Sequence, residues 1–400
     1  MYFQAIDDKK ECIGIYMNGE LVFDPELIPD TLDTARTWKC SGTTVDHEVD
    51  YGWLFCGGDS LGEVCPAEII SDFEAASAKM RAYRRSFEIA KINFNEHCFF
   101  DLVPHDFLVS FLDLKNRITQ HVFENNTKPK NYDHLHATHT LLHKIKYQSL
   151  KVNTEDCRGL FYKSVHRNLA NKIMKGPDTI NYNLFGTVTG RLATYSDSFP
   201  ILTMHKELRA LLKPKNELFL SLDYNGAELR TALALSGEHQ PEYDIHEWNM
   251  ENIFKAGEVK DRSTAKTLFF SWLYNPESTI IKNDVYKRED IIKEHYDGEH
   301  ISTLFGRKIK VDKRRAFNYI IQSTTADLVI DRAIKMDIYL KNYKSFISHI
   351  VHDEIVVDLA SDERELATEL KEMFSNNKLG KFIVNVNAGK DYYNLEKLNL

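Results

Sequence analysis

Apolar residues recur along this 400-residue chain with two periods, and the switches between them set the order of its elements. Residues 1–77 read as short strands and turns, with "CIGIYMNGELVF" alternating around Asn18-Gly19, a dipeptide that favours a two-residue hairpin turn. From Ser71, the expected cap, the spacing turns helical through "SDFEAASAKMRAYRRSFEIAK". It stays helical through "FLVSFLDLKNRITQHVF" and "HLHATHTLLHKIKYQSL". After Pro177, "TINYNLFGTVTGRLAT" returns to strand and turn. "ELFLSLDY" predicts a buried strand feeding the helix "AELRTALALSG", and a helical block follows over roughly 244–275. The turn "TLFGRKIKV" leads to the long helix "RRAFNYIIQSTTADLVIDRAIKMDIYLKN". "HIVHDEIVVD" reads as a hairpin, followed by a helix near 362–376 and a closing strand "KFIVNVNAG". Strands and helices mixed in this order predict an α+β fold.

Composition narrows the class. The chain is 43% hydrophobic and 28% charged, enough for two or three globular domains, and no run of eighteen apolar residues predicts a membrane span. Its first residues lack the basic-then-apolar text of a secretion leader. The six cysteines lie far apart without a CxxC pair, which reads as reduced thiols in a cell interior. Net charge is −8, but it is unevenly spread. Residues 1–77 hold sixteen Asp and Glu against four Lys and Arg, whereas 128–175 hold ten Lys and Arg against three acids. Residues 301–315 add six cations against Asp312. Such stretches suit a phosphate backbone, although taken alone they read first as a solvated helix face.

Candidate chemistry begins at the hairpin, where Asp353 and Glu354 sit side by side between β-branched runs. A turn can hold solvated acids, but Asp223 ends another apolar strand and can share the sheet. Bringing two carboxylates within ~4 Å costs about 4 kcal/mol at a surface-like effective dielectric, and a cation or a proton removes that cost. Asp and Glu oxygens suit Mg²⁺. In "DRSTAKTLFFSWLYNP", Arg262, Lys266, Phe270 and Tyr274 are four apart and form one helical stripe. Its cationic end coincides with a helix N-terminus, capped by Asp261, and Asn275-Pro276 ends the helix. A nucleotide could lie along this stripe, phosphates at one end and base at the other. An ordinary amphipathic helix has the same spacing. "YDIHEW" resembles a capping box formed by Asp244 and Glu247, which places His246 in a first turn. Arg314, Asn318 and Gln322 share a helical face whose donors suit minor-groove acceptors. Arg191 follows a Gly turn, with Lys206 and Arg209 downstream. His136, His139 and His143 lie near one helical face in a basic context and are not expected to hold a metal, and Cys40, His47, Cys56 and Cys65 are too loosely spaced for a zinc knuckle.

Taken in order, "TGRLAT", "DYNGAELR", "DIH", "RSTAKTLFFSWLY", "RRAFNYIIQSTTAD" and "VHDEIV" resemble the family A DNA polymerases of the bacterial DNA polymerase I type, from about residue 181 to the end. The resemblance implies a right hand: a palm from 181–243 and 303–400, fingers from 244–302, and a connector and thumb from 78–180. It implies that Asp223 and Asp353 hold two Mg²⁺ ions, with Glu354 an auxiliary acid. Glu228 would exclude a ribose 2′-OH. Arg262, Lys266 and His246 would hold the dNTP triphosphate, with Lys266 also a proton donor to pyrophosphate. Phe270 and Tyr274 would line the base and sugar pocket, and Phe at 270 goes with discrimination against dideoxynucleotides. Arg191, Arg209, Arg314, Asn318, Gln322 and His352 would hold primer–template DNA. The family's Ser-Gln-Ile is Asn225-Gly226-Ala227 here, and its Gly after the fingers helix is Asn275.

Residues 1–77 do not match a full proofreading exonuclease, although Asp46-His47-Glu48 has the DxE form and Asp101 lies in a faint second element. A small α/β exonuclease remnant or a module binding a replication partner is expected there. The implied activity is template-directed DNA synthesis without proofreading, in the cytoplasm or nucleoid and without a membrane. The rivals are a weak primer–template-binding replisome scaffold and a single-subunit RNA polymerase.

Overall fold

The computed structural model describes every residue except 10, 35, 40–44, 46–47, 156–163, 255–258, 279–280 and 282–284. Asp46 and His47 of the DxE stretch, Cys40 and Cys157 therefore lie outside the described residues. The chain divides into two compact units, Met1–His136 and Ala137–Leu400.

In the first unit, β1 (Phe3–Asp8), β2 (Glu11–Met17) and β3 (Glu20–Val22) form an antiparallel sheet. The expected hairpin turn is present: Asn18 and Gly19 have φ of 51° and 91°, both left-handed, as a turn matching strand twist requires. Helices α1 (Ile70–Ile89) and α2 (His105–Asn125) follow, and α2 packs on the sheet. Buried Gln4 donates to Thr119 Oγ1 at 3.0 Å, and Tyr16 donates to Asp113 at 2.8 Å. Ser71 does not cap α1. The helix starts at Ile70 without a side-chain cap, because a turn closed by Ile69 N–H on Pro66 runs straight into it.

The second unit is built around an antiparallel sheet of β4 (Leu218–Tyr224), β7 (Phe346–Val351), β8 (Glu354–Leu359), β9 (Val384–Gly389) and β10 (Glu396–Lys397), in the order β7-β8-β4-β9-β10. Between β4 and β7 run α3 (Ala227–Leu235), α4 (Ile245–Asn252), α5 (Arg262–Tyr274), the hairpin β5 (His300–Ser302) and β6 (Lys308–Lys310), and α6 (Lys313–Tyr339). Helix α7 (Leu366–Ser375) separates β8 from β9. β4 reads as a nearly unbroken apolar run because both faces are covered. On one face Tyr224 stacks on Phe374 of α7, ring centres 4.0 Å apart, and on the other Phe219 meets His349 edge-on. The single helical block expected over 244–275 is two helices, each with its own aspartate cap. Asp244 accepts from His246 and Glu247 N–H, and Asp261 accepts from Thr264 N–H. Phe269 and Trp272 of α5 join Tyr286 and, from α6, Phe317 and Ile320 in one core. That core turns the stripe Arg262, Lys266, Phe270 and Tyr274 outward.

Candidate active site

Strand register brings the acids together. β4 and β8 pair so that Asp223 lies opposite Glu354. Asp353 precedes Glu354 in the two-residue turn after Val351, where His352 takes a left-handed φ of 57°. Asp223 and Asp353 line one cleft of about 450 Å³. Arg191, Glu228, His246, Arg262, Lys266, Phe270, Tyr274 and His352 line the same cleft. Residues spread over more than 160 positions thus meet around two carboxylates.

Burial, then the charges of Asp353 and Glu354, push the Asp223 carboxyl up to about 7. Burial also raises Asp353. Two such groups resist carrying charge together unless a cation joins them. Magnesium is usually held by one or two carboxylates plus substrate oxygens, so this donor pair fits it. Glu354 stands apart: Ser221 Oγ donates to one of its oxygens at 2.6 Å and Tyr392 OH to the other at 2.7 Å. Among the described residues, no three His, Cys, Asp or Glu side chains converge as a metal cage.

The protonation of Asp223 gives a signed expectation. A carboxyl normally near 3.9 and raised to about 7 binds its proton more tightly in the folded state. The resulting stability is fully present below the unfolded value and is lost as pH rises through about 7. Metal-free protein is therefore expected to lose on the order of 2–4 kcal/mol between pH 5 and pH 8 from this group. Thermal unfolding in a chelator checks it. Asp223→Asn should raise the melting temperature more at pH 8 than at pH 5, and an equal shift at both would refute the argument.

At the cationic end, Arg262 Nε and Nη2 donate to the two oxygens of Asp244 at 3.1 and 2.7 Å. Burial alone would raise Asp244, but Arg262, Asn225 and the Glu247 N–H hold it well below the usual carboxylate range. Lys266 lies 5.9 Å from the centre of the Phe270 ring, and Phe270 stacks near-parallel on Tyr274. His246 is pushed down to about 4, chiefly by burial, so near pH 7 it is a neutral imidazole. Its Nδ1 has no hydrogen-bond partner in the structure. Glu228 is buried, ion-paired to Arg191, and accepts from Tyr274 OH at 2.6 Å. Burial outweighs both partners and leaves its carboxyl above the ordinary range.

Other expected residues fall elsewhere. Arg209 lies outside the cleft, its guanidinium 4.7 Å above the Tyr392 ring. Arg314 and Asn318 line a second cavity of about 490 Å³, which Tyr274 also borders, and Gln322 lies one turn further along α6, half-buried. Most cations of the stretch 301–315 sit in ion pairs, of which only that of Arg307 is buried. Arg307, Lys308, Lys310, Arg314 and Arg315 each face a carboxylate, on Asp327, Asp297, Glu299, Glu277 and Asp312.

Several contributors escape a reading by motif. Arg307 grips Asp327 with two hydrogen bonds, at 3.0 and 2.6 Å, directly beneath Gly190. A Cβ at Gly190 would fall 2.4 Å from the guanidinium carbon, so the loop carrying Arg191 rests on this ion pair only because position 190 is Gly, at φ 79°. Arg230 is fully buried and donates only to neutral oxygens, including the Asn225, Pro241 and Tyr243 carbonyls. Arg230 closes the quoted "DYNGAELR" with no role read for it, and Arg307 sits in a charge run that looks solvated.

The fold is that of a polymerase domain. The structure resembles the POL domain of Pol1 from M. smegmatis, solved in complex with DNA primer-template and dNTP, with a TM-score of 0.64 at 14% identity over 98% of this chain and 95% of that one. The sequence is similar to family A DNA polymerases. It is 26% identical over 255 residues to the thermostable DNA polymerase I of Thermus filiformis, covering 49% of this chain and 30% of that protein. It is 26% identical over 249 residues to DNA polymerase I of Aquifex aeolicus, covering 51% and 42%. A DNA polymerase of Mycobacterium phage L5 is 27% identical over 190 residues, covering 40% and 31%. The matched stretch thus spans less than half the length of each of these relatives. No protein-family model matches the chain. Among the described residues, no helix is long and apolar enough to cross a membrane.

Proposed function

We propose that this protein is a DNA-directed DNA polymerase, a nucleotidyltransferase that extends a primer 3′-end with dNTPs on a template strand. The observation that carries the reading is the shared cleft, lined by the carboxylates Asp223 and Asp353, the cations Arg262 and Lys266, and the stacked Phe270 and Tyr274. Asp223 and Asp353 would hold two Mg²⁺ ions, which when bound supply charge neutralisation at the reacting phosphate and a more acidic attacking hydroxyl. The chain's own residues do the positioning, which dominates phosphoryl transfer. Arg262 and Lys266 bind the triphosphate, and neutral His246 donates one N–H to it. Lys266 is suited to protonate the departing pyrophosphate. Phe270 and Tyr274 offer a face for base and sugar. Glu228, held between Arg191 and Tyr274, forms a rigid wall where a 2′-hydroxyl would enter. Arg191 and His352 border the primer end, Arg314, Asn318 and Gln322 face the duplex, and Arg209 acts on DNA only after leaving Tyr392.

Under this reading, 181–243 and 303–400 serve as palm, 244–302 as fingers, and 78–180 as connector and thumb. The acidic N-terminal strands are assigned to a replication partner and carry no proofreading activity, and the protein works in the cytoplasm or nucleoid. A primer-extension assay with Mg²⁺ tests the proposal. Extension with dNTPs that depends on Asp223 and Asp353 supports it. Equal use of rNTPs would point to an RNA polymerase, and tight primer–template binding without extension to a scaffold. Shortening of a labelled 3′-end without dNTPs would refute the absence of proofreading.

A further inference from the structure

Three residues beyond Asp223, the chain makes an unusual approach to α4. Gly226 has φ 67°, and a Cβ built there would lie 2.4 Å from Ile245 Cγ2. Only a residue without a side chain lets the start of α4 sit this close to the end of β4. The closeness is used by Asn225, which is buried. Its Oδ1 accepts from Ile245 N–H at 2.9 Å and from Arg230 at 3.2 Å, and its Nδ2 donates to Asp244 Oδ2 at 2.7 Å. Asp244 Oδ1 is fixed in turn by the His246 and Glu247 N–H groups at 2.9 and 3.1 Å. Both oxygens of this immobilised carboxylate grip Arg262. The pair occupies the Nε–Nη2 edge of the guanidinium and leaves the Nη1 edge to a ligand.

We propose that Asn225 is a positioning residue for the triphosphate, acting through Asp244 to hold the Arg262 guanidinium in its binding orientation. The inference rests on the polymerase reading and deepens it. The end of the strand that carries Asp223 and the first cation of α5 are joined by one hydrogen-bonded relay. Ordering Arg262 before the nucleotide arrives removes a cost that binding would otherwise carry. Asn225 borders the cleft, but its Oδ1 and Nδ2 are already engaged by Ile245, Arg230 and Asp244, so its loss should weaken nucleotide capture more than it slows the bond-forming step.

Single-turnover primer extension over a range of dNTP concentrations separates the two effects. Asn225→Asp keeps the shape and the acceptor but sets a second carboxylate against Asp244. It is expected to raise the apparent Kd for dNTP about 10-fold, with the maximal rate changed by less than about threefold. In an Arg262→Ala background the same change should add less than about twofold, because its route is already cut. Asp244→Asn provides a second variant, since Asn still caps α4 but loses the charge that holds Arg262. It should likewise raise the dNTP Kd about 10-fold, with a melting temperature near wild type. An Asn225→Asp effect of equal size with and without Arg262, or one confined to the maximal rate, would overturn the proposal. So would tighter dNTP binding by Asp244→Asn, which would make Asp244 a competitor of the phosphates. A wild-type protein that does not extend primers fails the polymerase reading itself. One that extends normally but is indifferent to Asn225→Asp fails only this inference.

Discussion

Asp223→Ala is expected to lower the single-turnover rate of primer extension by roughly 10³-fold or more, and Asp353→Ala by a similar factor. The size follows from the shortness of the donor set. Glu354 is tied up by Ser221 and Tyr392, so each aspartate supplies about half of the anionic oxygen available to a cation in the cleft. DNA binding should survive, because removing a negative charge from a surface that meets phosphates does not weaken association. The discriminating measurement is therefore rate at saturating primer–template and dNTP, with DNA affinity recorded alongside. An Asp223→Ala protein that retains a tenth of the wild-type rate would exclude the metal-binding role.

The second large effect is on stability. Arg307→Ala should destabilise the protein by about 3–5 kcal/mol, since it removes the guanidinium that holds a buried carboxylate by two hydrogen bonds. Asp327 is only 2% exposed, and burial, although it works against the arginine's own charge, is outweighed by this partner. Arg307→Lys should recover little, because an ammonium cannot reproduce the two parallel hydrogen bonds of the guanidinium. Denaturant unfolding measures both, and a loss below about 1 kcal/mol for Arg307→Ala would show that water reaches Asp327. Because Gly190 rests on this guanidinium, the variants should also loosen the loop that aims Arg191.

The residues that meet in the cleft were more legible in the sequence than the architecture that supports them. Asp223 and Asp353 were readable because an acid at the end of an apolar strand stands out, and the 262–274 stripe because four-residue spacing is a helical period. Arg307 was not, because a cation in a basic run looks solvated until its burial is known. Asn225 and Gly226 appeared as a local departure from a motif. Their meaning depends on Ile245 and Asp244, some twenty positions later, which no local pattern connects to them. The cap of the first long helix was misplaced for a related reason: an uncapped start continuing a preceding turn leaves no side-chain signature.

The pairing of cations with acids along 301–315 also bears on how ionic strength will act. Each phosphate contact normally releases counterions condensed on the nucleic acid, and the steepness of the salt response counts those contacts. A lysine or arginine already matched by a neighbouring carboxylate brings its own neutraliser, and must exchange that partner before it displaces an ion from the duplex. Under the polymerase reading proposed above, a tally of basic residues in this segment would therefore forecast a steeper salt dependence of DNA binding than these paired cations can generate.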